Sequence, residues 1–123
     1  MVESTKKAIT RYCFIVRHGE RADNSVYYRA QIKNWTDPML TPTGHAQASE
    51  TGKFLRTQLE QLAVQEDRPF SSILLKTSPF IRTMATAARI SKELSIAQVD
   101  IDYTFCEFLS TTMFGSNPIP NLE

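Results

Sequence analysis

An apolar run followed at once by charged residues is the feature that most constrains how this 123-residue chain folds. The run spans residues 12–16, and its aromatic and β-branched side chains are typical of a strand buried on both faces of a parallel sheet. It ends abruptly at Arg17, His18, Gly19 and Glu20. Ligands of α/β proteins bind beyond the carboxyl ends of such strands. The pattern therefore predicts a buried strand that carries a charged loop into a binding site.

Helices and strands are predicted to alternate along the rest of the chain. Thr41 and Pro42 suit the N-cap and first position of a helix that we expect to end near residues 66–69. Residues 72–77 and 99–108 predict two more strands. Crossovers between parallel strands are right-handed and lay helices on the sheet. We therefore predict an α/β fold with three layers, a mainly parallel sheet with helices on both faces.

The two helices carry their own signals. In the first, apolar or small residues recur at helical spacing, which predicts one buried stripe. The members of that stripe are Ala48, Gly52, Leu55, Leu59 and Leu62. Ser78 and Pro79 predict the N-cap and first position of the second helix. Between the first strand and the first helix, Asn34, Asp37 and Pro38 break regular structure and predict a long irregular loop.

Composition excludes several classes of protein. Fourteen basic and thirteen acidic residues leave a net charge of +1, which gives no general attraction to nucleic acid or membranes. Cys13 and Cys106 lie in apolar surroundings without the spacing of a zinc site, so we expect buried, reduced thiols and no metal or other cofactor. No leader-like or membrane-spanning apolar run is evident. We expect a cytoplasmic, soluble protein.

His18 is the first candidate for chemistry. Imidazole is nucleophilic near neutral pH, and Gly19 permits a tight turn or the close approach of a ligand. Arg17 and Arg21 add guanidinium groups that bind phosphate bidentately. The alternative is a surface turn with solvated charges.

Ser78 and Arg82 are the second candidate site. Ser78 would cap a helix whose N-terminal amides bind an anion, and Arg82 would lie one turn further along. The alternative is an ordinary capped helix with an exposed arginine.

The order of three motifs resembles the histidine phosphatase superfamily, also called the phosphoglycerate mutase-like family. The motifs are residues 14–20, residues 40–44 with Gln47 and Ala48, and residues 77–83 with Thr86 and Ala87. The resemblance covers roughly residues 11–109. It implies that residues 11–123 are the N-terminal part of a histidine phosphatase domain, preceded by a polar extension at residues 1–10.

The resemblance also implies roles for individual residues. His18 would be the nucleophile that becomes phosphorylated, and Arg17 and Arg82 would clamp the phosphate. Glu107 matches the position of the proton donor in many members, although a solvated residue at the end of a strand is the alternative. The implied reaction is metal-independent phosphomonoester hydrolysis, with a phosphorylated small molecule or a phosphoprotein as the partner.

Arg21 indicates a subgroup. The segment Arg21, Ala22 and Asp23 after Glu20 looks like the branch of ubiquitin-associated and SH3-domain phosphatases and ecdysteroid-phosphate phosphatases, which favours hydrolysis over mutase chemistry. Glu20 and Asp23 are also carboxylates close to the nucleophile, and they compete with the later glutamate for the role of proton donor.

One departure from the family pattern limits this interpretation. Members need a second histidine from a later strand, and the only other histidine here is His45, at a variable position expected on a helix surface. We expect a piece of a larger phosphatase whose exposed sheet edge invites association. The alternatives are a non-catalytic module that binds phosphorylated ligands, and a domain whose missing parts come from another chain.

Overall fold

A computed structural model describes residues 11–106, which form two α-helices and a short parallel sheet. The regular elements are α1 (Pro42–Gln65), β1 (Lys76–Thr77), α2 (Ile81–Glu93) and β2 (Asp100–Ile101). Single 3-10 turns lie at Ala22–Asn24, Arg29–Gln31 and Tyr103–Phe105. In the sheet, Lys76 pairs with Asp100 and Thr77 with Ile101. The predicted α/β class and the parallel pairing are confirmed, whereas the three-layer arrangement stays a prediction.

The start and end of α1 follow the local signals in the sequence. The Thr41 side chain accepts a hydrogen bond from the Gly44 amide at 3.0 Å, and Pro42 occupies the first helical position. The helix ends at Gln65, one residue before residues 66–69, where its end was predicted. The first half of the predicted stripe is buried, and Leu59 and Leu62 are half-buried.

The predicted cap of α2 was wrong. The helix begins at Ile81, and its N-cap residue, Phe80, makes no capping hydrogen bond with its side chain. The Ser78 hydroxyl is instead paired with the Thr83 hydroxyl at 2.6 Å. The amide of Ile81 donates to Asp37 Oδ1 at 3.0 Å, so a distant loop supplies the acceptor that we had assigned to Ser78.

The strand predicted for residues 12–16 is also wrong. No strand is assigned there, the side chain of Ile15 is 97% exposed, and Cys13 is exposed as well. A strand needs ladder partners, and within residues 11–106 the two assigned strands pair only with each other. For the same reason the strands expected at residues 72–77 and 99–108 are short, and the second is followed by a 3-10 turn that Asp102 caps.

Packing of α1 on α2 forms one part of the interior. Gly52 lies so close to α2 that a Cβ there would meet the Cβ of Glu93 at 2.8 Å. The two helices contact each other. Their buried apolar residues include Ala48 and Leu55 of α1 and Ala87 and Ile90 of α2. The helix pair also provides contacts for the loop at Gly19 and Glu20, through Thr86 and Gln47.

Candidate active site

The loop that carries His18 is bonded at residues 20–22 to the segment preceding α1. Arg21 forms an isolated antiparallel bridge with Leu40, and the Ala22 amide donates to Met39 O at 2.8 Å. The Thr41 amide donates to Glu20 O at 3.0 Å. These bonds place residues 20–22 beside the N-terminus of α1.

His18 is half-buried, and its ring orientation is defined by one hydrogen bond. Its Nδ1 lies 2.8 Å from the carbonyl oxygen of Gly19. A carbonyl only accepts, so Nδ1 must carry the proton in this arrangement. In the neutral ring, Nε2 then keeps its lone pair and is the nucleophilic nitrogen.

Gly19 joins the His18 loop to α2. Its amide donates to Thr86 Oγ1 at 3.2 Å, and the Thr86 hydroxyl donates to Arg82 O at 2.7 Å. Gly19 also packs against Gly44, and a Cβ on either glycine would overlap the other's segment of backbone. The loop, α1 and α2 therefore meet at Gly19.

Glu20 is held at the N-terminus of α1. Its amide donates to Gln47 Oε1 at 2.8 Å, and its Oε1 accepts from the Thr41 hydroxyl at 2.9 Å. A carboxylate at a helix N-terminus is stabilised by the helix dipole. These contacts make Glu20 a link between the loop and α1.

Arg82 is buried, with only 3% of its surface exposed, beside Asp37. Its guanidinium lies 4.2 Å from the centroid of the Phe80 ring, and its Nη1 is 4.0 Å from Asp37 Oδ1. Burial raises the pKa of Asp37, although the Ile81 amide and the Arg82 charge act in the opposite direction. We had expected Arg82 to be reachable by an anion at the helix start, but its charge lies inside the protein.

Sequence reasoning missed Asp37 as a functional residue. Its only signal was its place among the residues that break the loop before α1. Only the fold shows that this loop crosses the start of α2, where Asp37 accepts from Ile81 and faces Arg82.

The other predicted residues are not gathered at one point. Arg17 is exposed. Arg21 forms a bidentate pair with Asp23, at 2.9 and 2.6 Å, which compensates its charge. Ser78 is paired with Thr83. Glu107 lies outside the described residues.

His45 lies in α1, the helix in which it was expected. It is half-buried, and its Nδ1 accepts from Arg89 Nε of α2 at 3.3 Å. Burial and the Arg89 charge both lower the pKa of His45. The His45 ring thus forms a hydrogen bond between α1 and α2.

Within residues 11–106, no three His, Cys, Asp or Glu side chains converge in a way that could hold a metal ion. Over the same residues, neither helix is both long and apolar enough to cross a bilayer.

The sequence of the chain is similar to that of a known protein family and of one of its members. The model of the histidine phosphatase superfamily (branch 1) matches residues 13–116. An uncharacterized phosphoglycerate mutase family protein of Acanthamoeba polyphaga mimivirus is 32% identical over 97 residues, which are 76% of this chain and 43% of that protein. The chain thus matches less than half the length of this relative. No solved structure matches the chain.

Proposed function

The chain belongs to the histidine phosphatase superfamily, and from this premise we propose that it hydrolyses phosphomonoesters through a phosphohistidine formed on His18. The observation that carries the proposal is the hydrogen bond from His18 Nδ1 to the carbonyl of Gly19. It assigns the ring proton to Nδ1 and leaves the lone pair of Nε2 for attack on phosphorus.

The reaction proceeds in two steps. The Nε2 lone pair of His18 forms a bond to phosphorus, the ester P–O bond breaks, and the leaving oxygen takes a proton from a carboxylic acid. Water then attacks the phosphohistidine, the P–N bond breaks, and one proton of the water returns to the carboxylate. Inorganic phosphate and neutral imidazole are released. By the family resemblance, Glu107 supplies the carboxyl group.

Arginine charge stabilises the transferring phosphoryl group in this scheme. Arg17 is exposed and able to contact a substrate, whereas Arg82 acts from the interior, where water screens its charge weakly. Ser78 and Arg21 are further proposed phosphate contacts. Because Asp23 compensates Arg21, we expect Arg21→Ala to weaken phosphate binding less than Arg17→Ala does.

The subgroup and the substrate belong to the same proposal. Arg21 in the position after Glu20 favours hydrolysis of a phosphorylated small molecule or phosphoprotein over mutase chemistry. The family pattern also includes a second histidine. In this proposal His45 does not take that role, because its ring accepts a hydrogen bond from Arg89.

The test is turnover of p-nitrophenyl phosphate by the purified chain, with chelator present, at mildly acidic to neutral pH. We expect turnover that falls to background in His18→Ala and persists in His45→Ala, the matched control at the only other histidine. Equal turnover in wild type and His18→Ala would contradict the proposal. A folded chain that binds phosphate without turnover would favour the phospho-ligand-binding module instead.

A further inference from the structure

The backbone of Gly19 is held from two helices, and it is the same backbone that orients His18. We propose that Gln47 of α1 and Thr86 of α2 are positioning residues that set the tautomer and ring direction of His18. Neither side chain touches the imidazole in the described contacts; each acts through a peptide group of Gly19. This inference rests on the proposed role of His18 as the nucleophile.

Gln47 controls the peptide unit between Gly19 and Glu20. That unit contains both the carbonyl that accepts from His18 Nδ1, at 2.8 Å, and the amide that donates to Gln47 Oε1, also at 2.8 Å. The peptide is trans, so its N–H and C=O point in opposite directions. Fixing the amide on Gln47 therefore directs the carbonyl towards His18.

Thr86 controls the preceding peptide unit, between His18 and Gly19. Its hydroxyl has one proton, which is donated to Arg82 O at 2.7 Å, so its oxygen is oriented to accept the Gly19 amide. Thr86 is buried, and water cannot readily replace it as the acceptor. The backbone on both sides of Gly19 is thus fixed before a substrate binds.

Loss of either contact has a consequence for chemistry. If the carbonyl of Gly19 turns away, the His18 proton is no longer held on Nδ1, and the tautomer with a protonated Nε2 becomes populated. That tautomer lacks a lone pair at the attacking nitrogen. Turnover then falls through kcat, with little change in KM, because binding of the phosphate is not the step affected.

The test uses variants that differ only in whether the acceptor remains. Gln47→Met and Thr86→Val remove it, whereas Gln47→Glu and Thr86→Ser keep it. The readout is the His18 tautomer in long-range proton–nitrogen NMR spectra at a pH of about 8, where imidazole is neutral. His45→Ala distinguishes the signals of the two histidines in the chain.

We expect the Nδ1–H tautomer in wild type, Gln47→Glu and Thr86→Ser, and a mixture of tautomers in Gln47→Met and Thr86→Val. The expected fall in kcat is about 5-fold for Gln47→Met and for Thr86→Val, the factor that corresponds to about 1 kcal/mol. Rescue by Gln47→Glu is judged on the tautomer, because its added charge also repels phosphate.

Control variants of the same residue types come from α1. Thr57 donates to the carbonyl four residues earlier, as Thr86 does, and Gln61 is exposed on α1. Thr57→Val and Gln61→Met should leave the tautomer unchanged. A wild-type chain with its proton on Nε2, or folded Gln47→Met with an unchanged tautomer, would overturn the inference. The tautomer is measured without turnover, so an inactive chain with the expected tautomers would contradict only the proposed hydrolysis.

Discussion

Asp37 and Arg82 form a buried pair of opposite charges beside the start of α2. Their side chains are each only 4% exposed, and Asp37 also accepts the amide of Ile81. Asp37 thus has two separable roles, one as an acceptor for the helix start and one as the negative charge nearest Arg82 in the described contacts. Removing one partner of a buried pair leaves an uncompensated charge, which costs more than the pair contributes.

The first role predicts a difference between two substitutions. Asp37→Asn keeps an acceptor for the Ile81 amide, whereas Asp37→Ala leaves that amide without one. We expect Asp37→Ala to have a free energy of unfolding lower than that of Asp37→Asn by about 1–2 kcal/mol. Urea denaturation measures this difference, with Glu60→Gln and Glu60→Ala, at an exposed position on α1, as the control pair. Equal stability of the two Asp37 variants would contradict the capping role.

Burial of the Asp37 carboxyl, which outweighs the attraction of the Arg82 charge, predicts a pH dependence. Burial raises the pKa of Asp37 above its ordinary value of 3.8 in the folded state. A carboxyl of this kind contributes stability that is complete below its ordinary pKa and is lost as the pH rises through the folded-state pKa. The free energy of unfolding of wild type minus that of Asp37→Asn should therefore decrease as the pH rises from about 4. The subtraction cancels the titration of His45, and a difference that increases with pH would oppose this account.

At the scale of elements, the close approach of the His18 loop to α1 depends on two glycines. A Cβ at Gly44 would overlap the backbone of Glu20, and one at Gly19 would overlap that of Gly44. Alanine normally stabilises a helix relative to glycine, but here the neighbour is main chain and cannot move aside cheaply. The contact between the loop and α1 therefore determines whether alanine at Gly44 stabilises or destabilises the chain.

Gly44→Ala should accordingly destabilise the chain by about 1–3 kcal/mol, despite its better helix propensity. Thr43→Ala, at an exposed position in the same helical turn, should change stability little. Chemical denaturation of both variants gives the comparison. A more stable Gly44→Ala would show that the loop does not pack on α1 as described.

Elements with local signals were predictable from the sequence, and those that depend on distant contacts were not. Thr41 and Pro42 define the start of α1 by themselves. The start of α2 was misplaced at Ser78 because its acceptor, Asp37, lies 44 residues away from Ile81. The apolar run at residues 12–16 indicated burial, but burial requires partners that the run itself does not specify. The motif residues Gln47 and Thr86 could be recognised, whereas their contacts with the His18 loop needed the fold.

At the scale of the whole molecule, large apolar side chains remain exposed in the described part of the chain. Ile15 and Leu74 are examples, and both lie in segments that we had expected to be strands. Exposed apolar surface of this kind favours association. Association through a sheet edge remains a proposal, and substitution of these exposed residues can test it.

We expect the chain to associate as its concentration rises and Ile15→Lys to reduce that association, because a charge at this position opposes burial. Sedimentation velocity over a concentration series measures the effect. Val64→Lys, at an exposed apolar position on α1, is the matched control and should associate like wild type. A wild-type chain that stays monomeric throughout would contradict this prediction.

Trapping the phosphorylated intermediate shows directly whether Nε2 of His18 receives the phosphoryl group. The chain is mixed with a radiolabelled phosphomonoester, quenched in alkali, digested and mapped by mass spectrometry and NMR. We expect an acid-labile, alkali-stable phosphoryl group on His18 Nε2, absent from His18→Ala and retained in His45→Ala. A phosphoryl group on His18 Nδ1, on another residue, or on none in a chain that turns over substrate would contradict it.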